Sequence, residues 1–248
     1  GFRVYATDIN VDIFKGNKDK NIVPLIMDVT KDASVAEVQK LLNDKAKTLE
    51  AIINAAGIYK SCSLIEEEVK ISEKVFDVNL FGAMRVNKAF FSLLLKTEGV
   101  IINISDAAGA ISSAPFCAPY NISKIALEAY SDALRRELQL LNVRVVKIQM
   151  GAIKTKMLDD VADEFTRVAN KTVYFKQNIE KFKEVSDKFL SITYNPGHVI
   201  NAIYKAVINN KTKPVYKIKV NKKYDLINAL PEKSQDKMYL KLLRKNSK

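Results

Sequence analysis

Gly99-Val100-Ile101-Ile102-Asn103-Ile104-Ser105 is apolar at successive positions instead of alternating. A strand reads that way when helices cover both faces of its sheet. To either side of it, the same pattern recurs in VYA near residue 5, AIIN at 51–54 and VRVVKI at 143–148. The predicted strands are 3–6, 21–27, 50–54, 99–105, 143–149 and 214–220. Helical periodicity fills 34–48, 72–96, 118–141 and 197–208 between them. Strands alternating with helical stretches predict an α/β fold: a Rossmann-like, doubly wound parallel sheet in three layers. Without repeats or a low-complexity linker, residues 1–248 read as a single domain.

The composition narrows the function classes. The 248 residues are 48% hydrophobic and 27% charged, too apolar for a disordered chain. No run approaches the ~18 apolar residues that span a bilayer. The opening GFRVYATDIN reads as a strand, not a cleavable leader, so a cytoplasmic location without a transmembrane segment is expected. Two cysteines, Cys62 and Cys117, and one histidine, His198, are too few for a zinc site built from those ligands. They also argue against a disulfide framework. His198 opens a helical stretch and reads as a surface or capping residue. The net charge of +12 is concentrated in residues 211–248, where twelve Lys or Arg face Asp225, Glu232 and Asp236. No nucleic-acid-binding motif accompanies that charge, so it reads as a solvated surface and no nucleic-acid partner is expected.

In an open parallel sheet, ligands bind beyond the carboxyl ends of the strands. Those ends carry Asp8, Asp28, Asn54-Ala55-Ala56-Gly57, Ser105-Asp106 and Gly151. Beside them, Tyr120-Asn121-Ile122-Ser123-Lys124 opens a helix, and positions i and i+4 share one helix face. A nearby ammonium favours the phenolate form, so Lys124 is expected to lower the proton affinity of Tyr120. The phenol could then exchange a proton with an alcohol or carbonyl near neutral pH.

With these motifs in order, the chain resembles the short-chain dehydrogenase/reductase family. The matching pieces are Asp8 after VYAT, DVT at 28–30, NAAG at 54–57, DVNLFG at 77–82, INIS at 102–105, YNISK at 120–124 and GAIKTKM at 151–157. The stretch from PVYKIKV to YLKLL is similar to the branch containing 17β-hydroxysteroid and retinol dehydrogenases. The resemblance implies hydride transfer between a nicotinamide and a small apolar ketone or secondary alcohol. Tyr120 would be the general acid and base. Lys124 would tune Tyr120 and hold the nicotinamide ribose, and Asn79 would hold a relay water. For the cofactor, Asp8 would accept the adenosine ribose hydroxyls, and Asp28 and Val29 would frame the adenine. Asn54, Ala55 and Gly57 would keep the backbone open beside that ribose, while Ile153 and Thr155 would orient the carboxamide. The Asp8 charge favours NAD, with NADP as the alternative.

The sequence departs from the family pattern in three places. The glycine-rich TGxxxGIG turn does not occur in it, which implies a further βα unit ahead of Gly1. The serine expected three positions after Asn103 is Asp106. Ser105 is expected to take its place; otherwise Asp106 is protonated or activity is weakened. Ser112 and Ser113 lie in the following loop. Met150 replaces the usual proline. Residues 158–195 would form a substrate lid, with Phe165, Val173, Tyr174, Phe175, Phe182 and Phe189 offering apolar surface, and Phe116 and Cys117 lining the same pocket. A homodimer or homotetramer is expected. The competing expectations are a cofactor-binding relative without catalysis, and a polyanion or membrane-surface binder acting through 211–248.

Overall fold

The computed structural model describes residues 1–106, 113–190 and 192–244. Ser112, the side chain of Phe189 and the end of the basic segment from Lys245 to Lys248 lie outside the described residues. The architecture is a three-layer α/β arrangement of parallel strands flanked by helices. All six expected strands form, as β1 (Val4–Asp8), β2 (Ile22–Ile26), β3 (Ala51–Asn54), β4 (Val100–Asp106), β5 (Arg144–Met150) and β6 (Val215–Ile218).

The strands pair in two sets: β1 with β2 in a two-stranded ribbon, and β3-β4-β5-β6 in a four-stranded sheet. Among the described residues, no strand hydrogen-bonds to both β1 and β3, and pairing is what makes strands one sheet. Packing joins the two sheets instead. Tyr5 of β1, Leu25 of β2 and the buried Met27 contribute to one apolar cluster with Ile52, Ile101 and Val145 of the larger sheet. The helices α1 (Asp32–Lys45) and α3 (Gly82–Leu95) complete that cluster. On the other face, Val100, Ile102, Ile104, Val146 and Ile148 pack against Val199, Ala202 and Ala206 of α7 (Gly197–Ile208). Consecutive residues of β4 therefore enter opposite cores, which is why Val100, Ile101 and Ile102 are apolar without alternation.

The helix predicted over 72–96 is interrupted. It divides into α2 (Val69–Phe76), a π-helical turn at Asp77–Phe81, and α3. A π turn adds a residue to the coil and redirects side chains, and it often accompanies a functional position. Gly82 follows because the helix runs against the loop after β2: a Cβ there would lie 2.7 Å from Val29 Cγ2. The long helix α4 (Ala118–Leu138) carries the Tyr-Lys pair and ends where Asn142 turns left-handed at φ 59°, a conformation asparagine tolerates. Two further helices, α5 (Lys156–Lys171) and α6 (Lys176–Leu190), occupy the expected lid, and α8 (Lys222–Ala229) and α9 (Glu232–Leu243) the basic segment. His198 is exposed near the start of α7. Among the described residues, no helix is long and apolar enough to cross a membrane.

Candidate active site

The ends of β3 and β4, the π turn and the first turns of α4 bring Gly57, Asn79, Asp106, Tyr120 and Lys124 together. Tyr120 and Lys124 are 6% and 5% exposed, and the Lys124 Nζ lies 5.7 Å from the centre of the Tyr120 ring. Their hydrogen bonds run elsewhere. The Tyr120 hydroxyl donates to Asp106 Oδ2 at 2.8 Å, and Lys124 Nζ donates to the Ile104 carbonyl at 3.1 Å.

That geometry corrects two expectations. In this state the phenol does not part with its proton more easily. Burial, and then the Asp106 carboxylate beside it, push Tyr120 well above the usual tyrosine range. Burial likewise pushes Lys124 down, with Asp106 and Glu128 opposing. Secondly, it is Asp106 and not Ser105 that hydrogen-bonds Tyr120. Ser105 is 1% exposed, and its Oγ has no hydrogen-bond partner among the described residues. Successive strand residues face opposite ways; Ser105 shares the β4 face of Asn103, which bonds Ser131 of α4, so it is buried toward that helix, while Asp106 at the strand end supplies the acceptor for Tyr120. The register neighbour of Ser105 is Gln149 on β5.

Asn79 sits in the π turn with its side chain fully engaged. Its Oδ1 accepts from the Ile58 amide at 2.8 Å, and its Nδ2 donates to Ile58 O and to Ser123 Oγ. A Cβ built on Gly57 would lie 3.5 Å from Asn79 Oδ1 and 3.8 Å from Lys124 Nζ. Gly57, Asn79 and Lys124 therefore meet, and at ordinary contact distance a side chain at Gly57 is sterically tolerated there. Ala55 is exposed at the strand-end edge. Asn54 turns its amide inward, donating to Asn87 and Asn103 at 2.8 Å each. Asn87 goes on to Tyr130, and Asn103 to Ser131.

Asp8, at the end of β1, accepts from the Asn10 amide at 2.9 Å. Asp28 accepts from the hydroxyl and the amide of Thr30, which hold its carboxyl below the usual range. Val29 packs on Gly82. Ile153 is buried among α7 and β5 residues and bridged to Tyr194, so it does not share the open edge. Thr155 is exposed at the head of α5. Gly151 is where a side chain has no room: a Cβ there would lie 2.1 Å from the Lys219 carbonyl oxygen.

The aromatics of the expected lid are mostly spent on packing. Phe165 and Phe182 are buried 5.3 Å apart, Phe116 stacks against Phe175 and Phe182, and Cys117 belongs to the same cluster. Val173 and Tyr174 are instead exposed. Cys62 and Cys117 are free and buried, and burial raises the Cys117 thiol to about 12.

Sequence reasoning passed over Tyr59, whose ring centre lies 5.0 Å from that of Tyr120. It also missed Asn87, Asn103 and Glu128. The last was the accessible one, because it lies a further i+4 step beyond Lys124 on α4.

The short chain dehydrogenase profile matches residues 1–166. The chain is 33% identical over 197 residues to the NADPH-dependent 1-acyldihydroxyacetone phosphate reductase of Schizosaccharomyces pombe, covering 77% of this chain and 66% of that protein. It is 34% identical over 167 residues to the bovine (Bos taurus) 17-beta-hydroxysteroid dehydrogenase type 6, covering 64% and 51%. The chain thus spans between half and two thirds of the length of these curated relatives. A solved short chain dehydrogenase from Burkholderia cenocepacia in complex with NADP superposes with a TM-score of 0.71 at 19% identity, covering 98% of this chain and 87% of that one. One from Burkholderia phymatum in complex with NAD gives 0.67 at 18%, covering 84% and 78%. With its profile match over two thirds of its length and a parallel α/β fold to go with it, this chain belongs to the short chain dehydrogenase family.

Proposed function

We infer that this protein is an NAD(P)-dependent oxidoreductase that interconverts an apolar ketone and its secondary alcohol, with Tyr120 as the proton-transferring group. The observation that carries the reading is the buried Tyr120–Lys124 pair at the head of α4, beside Gly57 and Asn79. The small residues after β3 fit a flat dinucleotide laid across the strand ends, since Ala55 is exposed and Gly57 presents only hydrogen toward Lys124. Asp8, Asp28, Val29, Asn54, Ala55, Gly57, Lys124 and Thr155 are the residues that would hold it. Ile153 would act only through the backbone of its loop. A bound nicotinamide would supply the hydride.

The chain's own work is to place and move a proton. Tyr120 donates to the carbonyl oxygen in reduction and accepts from the hydroxyl in oxidation. Lys124 holds positive charge beside the phenol, and Asn79 holds the backbone at Ile58 and the Ser123 hydroxyl in fixed register with α4. The Asp8 carboxylate opposes a 2′-phosphate, which favours NAD. An NADPH-dependent relative and NADP- and NAD-bound structural neighbours keep both nicotinamide cofactors in view.

The Tyr120–Asp106 hydrogen bond supports a second reading, a member that binds cofactor with little turnover. An ionised carboxylate cannot donate to an alkoxide and repels it. One experiment separates the two: NADH and NADPH oxidation with a panel of apolar ketones, beside cofactor binding followed by fluorescence. The enzymatic reading expects turnover that Tyr120→Phe lowers by about 10²–10⁴-fold while binding survives. Binding without turnover in the unaltered protein would establish the second.

A homo-oligomer is part of the proposal. Phe81, Met84, Ile122 and Ile125 are exposed apolar side chains on the π turn, α3 and α4 that a facing copy would cover.

A further inference from the structure

Behind the Tyr-Lys pair, α4 carries a second buried acid. Glu128 is 8% exposed and lies one helical turn beyond Lys124. Its Oε2 accepts from Lys147 Nζ at 2.8 Å and from Gln149 Nε2 at 3.0 Å, both on β5. Lys147 also bonds Asp132 at 2.9 Å, one further turn along α4. Charges therefore alternate along the interface: Lys124, Glu128, Lys147, Asp132. For stability alone the cluster is poorly built. Among the described residues, Glu128 Oε1, Gln149 Oε1 and Ser105 Oγ have no hydrogen-bond partner, and each belongs to a residue at least nine-tenths buried. Removing ions from water costs more than their attraction returns unless every lone pair is satisfied. A charge cluster kept in this unfinished state points to a task other than holding the fold.

We propose that Glu128 is a positioning residue for Lys124: buried one turn further along α4 and held there by Lys147 and Gln149, its carboxylate works with Asp106 as a fixed negative charge that keeps the Lys124 ammonium a cation beside Tyr120. The inference rests on the reading of Tyr120 and Lys124 as the reacting pair. Burial drives Lys124 toward its neutral form, and Asp106 and Glu128 drive it back. The titratable groups facing Lys124 are Tyr120 and Glu128 on its own helix and Asp106 on β4. Those facing Glu128 from β5 are Lys147 and the amide of Gln149, with Asp132 and Arg135 further along α4. From the elements packed on the other side of α4, Lys70, Glu73 and Lys74 of α2 are exposed, and Asp77 of the π turn pairs with Arg85.

The test needs no substrate. The 13Cε shift of Lys124 is followed against pH by NMR in the ligand-free protein labelled at lysine, with the signal assigned through Lys124→Arg. Glu128→Gln removes the negative neighbour, so the Lys124 midpoint falls by about one pH unit. Lys147→Met strips Glu128 of its compensating cation, so the midpoint rises. A purely structural cluster lowers the melting temperature in both variants and does not move the midpoint in opposite directions. An unchanged midpoint in Glu128→Gln, or an unchanged or lower one in Lys147→Met, overturns the proposal. Should either single variant fail to fold, Glu128→Gln with Lys147→Met removes both charges together. Its midpoint must then lie below that of the unaltered protein, because Glu128 is the charge of the pair that acts on Lys124, and equality overturns the proposal. Failure of Tyr120→Phe to lower turnover would instead remove the catalytic reading and leave the titration result intact.

Discussion

At position 106 an acid stands where the family's pattern expects a hydroxyl, and the consequence is visible in a single hydrogen bond. The Tyr120 phenol has found its acceptor in Asp106 at 2.8 Å, and the proton is held more tightly than in a free tyrosine. Asp106→Ser replaces an acceptor with a group able to donate to a substrate oxygen. It is expected to raise kcat about tenfold or more in the ketone assay. Ser105→Ala is expected to leave kcat within about twofold, because Tyr120 is bonded to Asp106 and the Ser105 hydroxyl is unpartnered. A large loss in Ser105→Ala, or none of the expected gain in Asp106→Ser, would return the role to Ser105. The Tyr-Lys spacing was legible because it needs only helix geometry. The choice between Ser105 and Asp106 was not, since which of two adjacent side chains bonds the phenol is set by how α4 docks on the strand end.

Among the elements, the α5–α6 segment expected to form a lid is held to the core by charge as well as by its aromatic cluster. Arg167 on α5 pairs with Glu67 at 2.7 Å and Glu164 at 3.2 Å, and it donates to the Ser61 carbonyl. Lys60 pairs with Glu164, and Glu66 accepts from the Val173 and Tyr174 amides between α5 and α6. Burial opposes ionisation of Glu164, but Lys60 and Arg167 outweigh it and leave the carboxyl below its usual 4.5. Glu66 is also lowered, first by the Thr172 hydroxyl. A lowered folded value means stabilisation that is fully present above about pH 4.5 and is lost as pH falls through the lower folded value. Hydrogen exchange, corrected for intrinsic rates, should therefore show α5 and the segment after it opening before the sheet on acidification. At neutral pH, Glu164→Gln should speed exchange in α5 by about tenfold or more, because Lys60 and Arg167 then share one fewer anion. Exchange indistinguishable from the unaltered protein would mean the aromatic cluster holds this segment alone. The aromatics were readable in the sequence as a set. Their commitment to packing instead of to a substrate surface was not, because the cluster that α5 and α6 share is completed by residues distant in the chain, Cys117 and Leu243 of α9 among them.

For the whole molecule, the exposed apolar residues of α3 and α4 bear on assembly. Light scattering coupled to gel filtration should return a dimer or larger. Met84→Glu combined with Ile125→Glu should shift the protein to monomer at the same concentration, while a strict monomer before substitution would remove the oligomer from the proposal. The strands, their parallel order and the edge that gathers the polar residues were all determined by the amino-acid sequence alone. Near-continuous Val and Ile runs have few other stable homes, and period and capping are local properties. Tertiary structure decided the rest: the separation of β1-β2 from the four-stranded sheet, the π turn that sets Asn79 against Ile58, the bond from Tyr120 to Asp106 in place of Ser105, and the burial of Glu128 beside Lys147. Each depends on which long-range neighbour is present. A residue's hydrogen-bond partner and local dielectric are set by elements distant in sequence, and no local pattern encodes them.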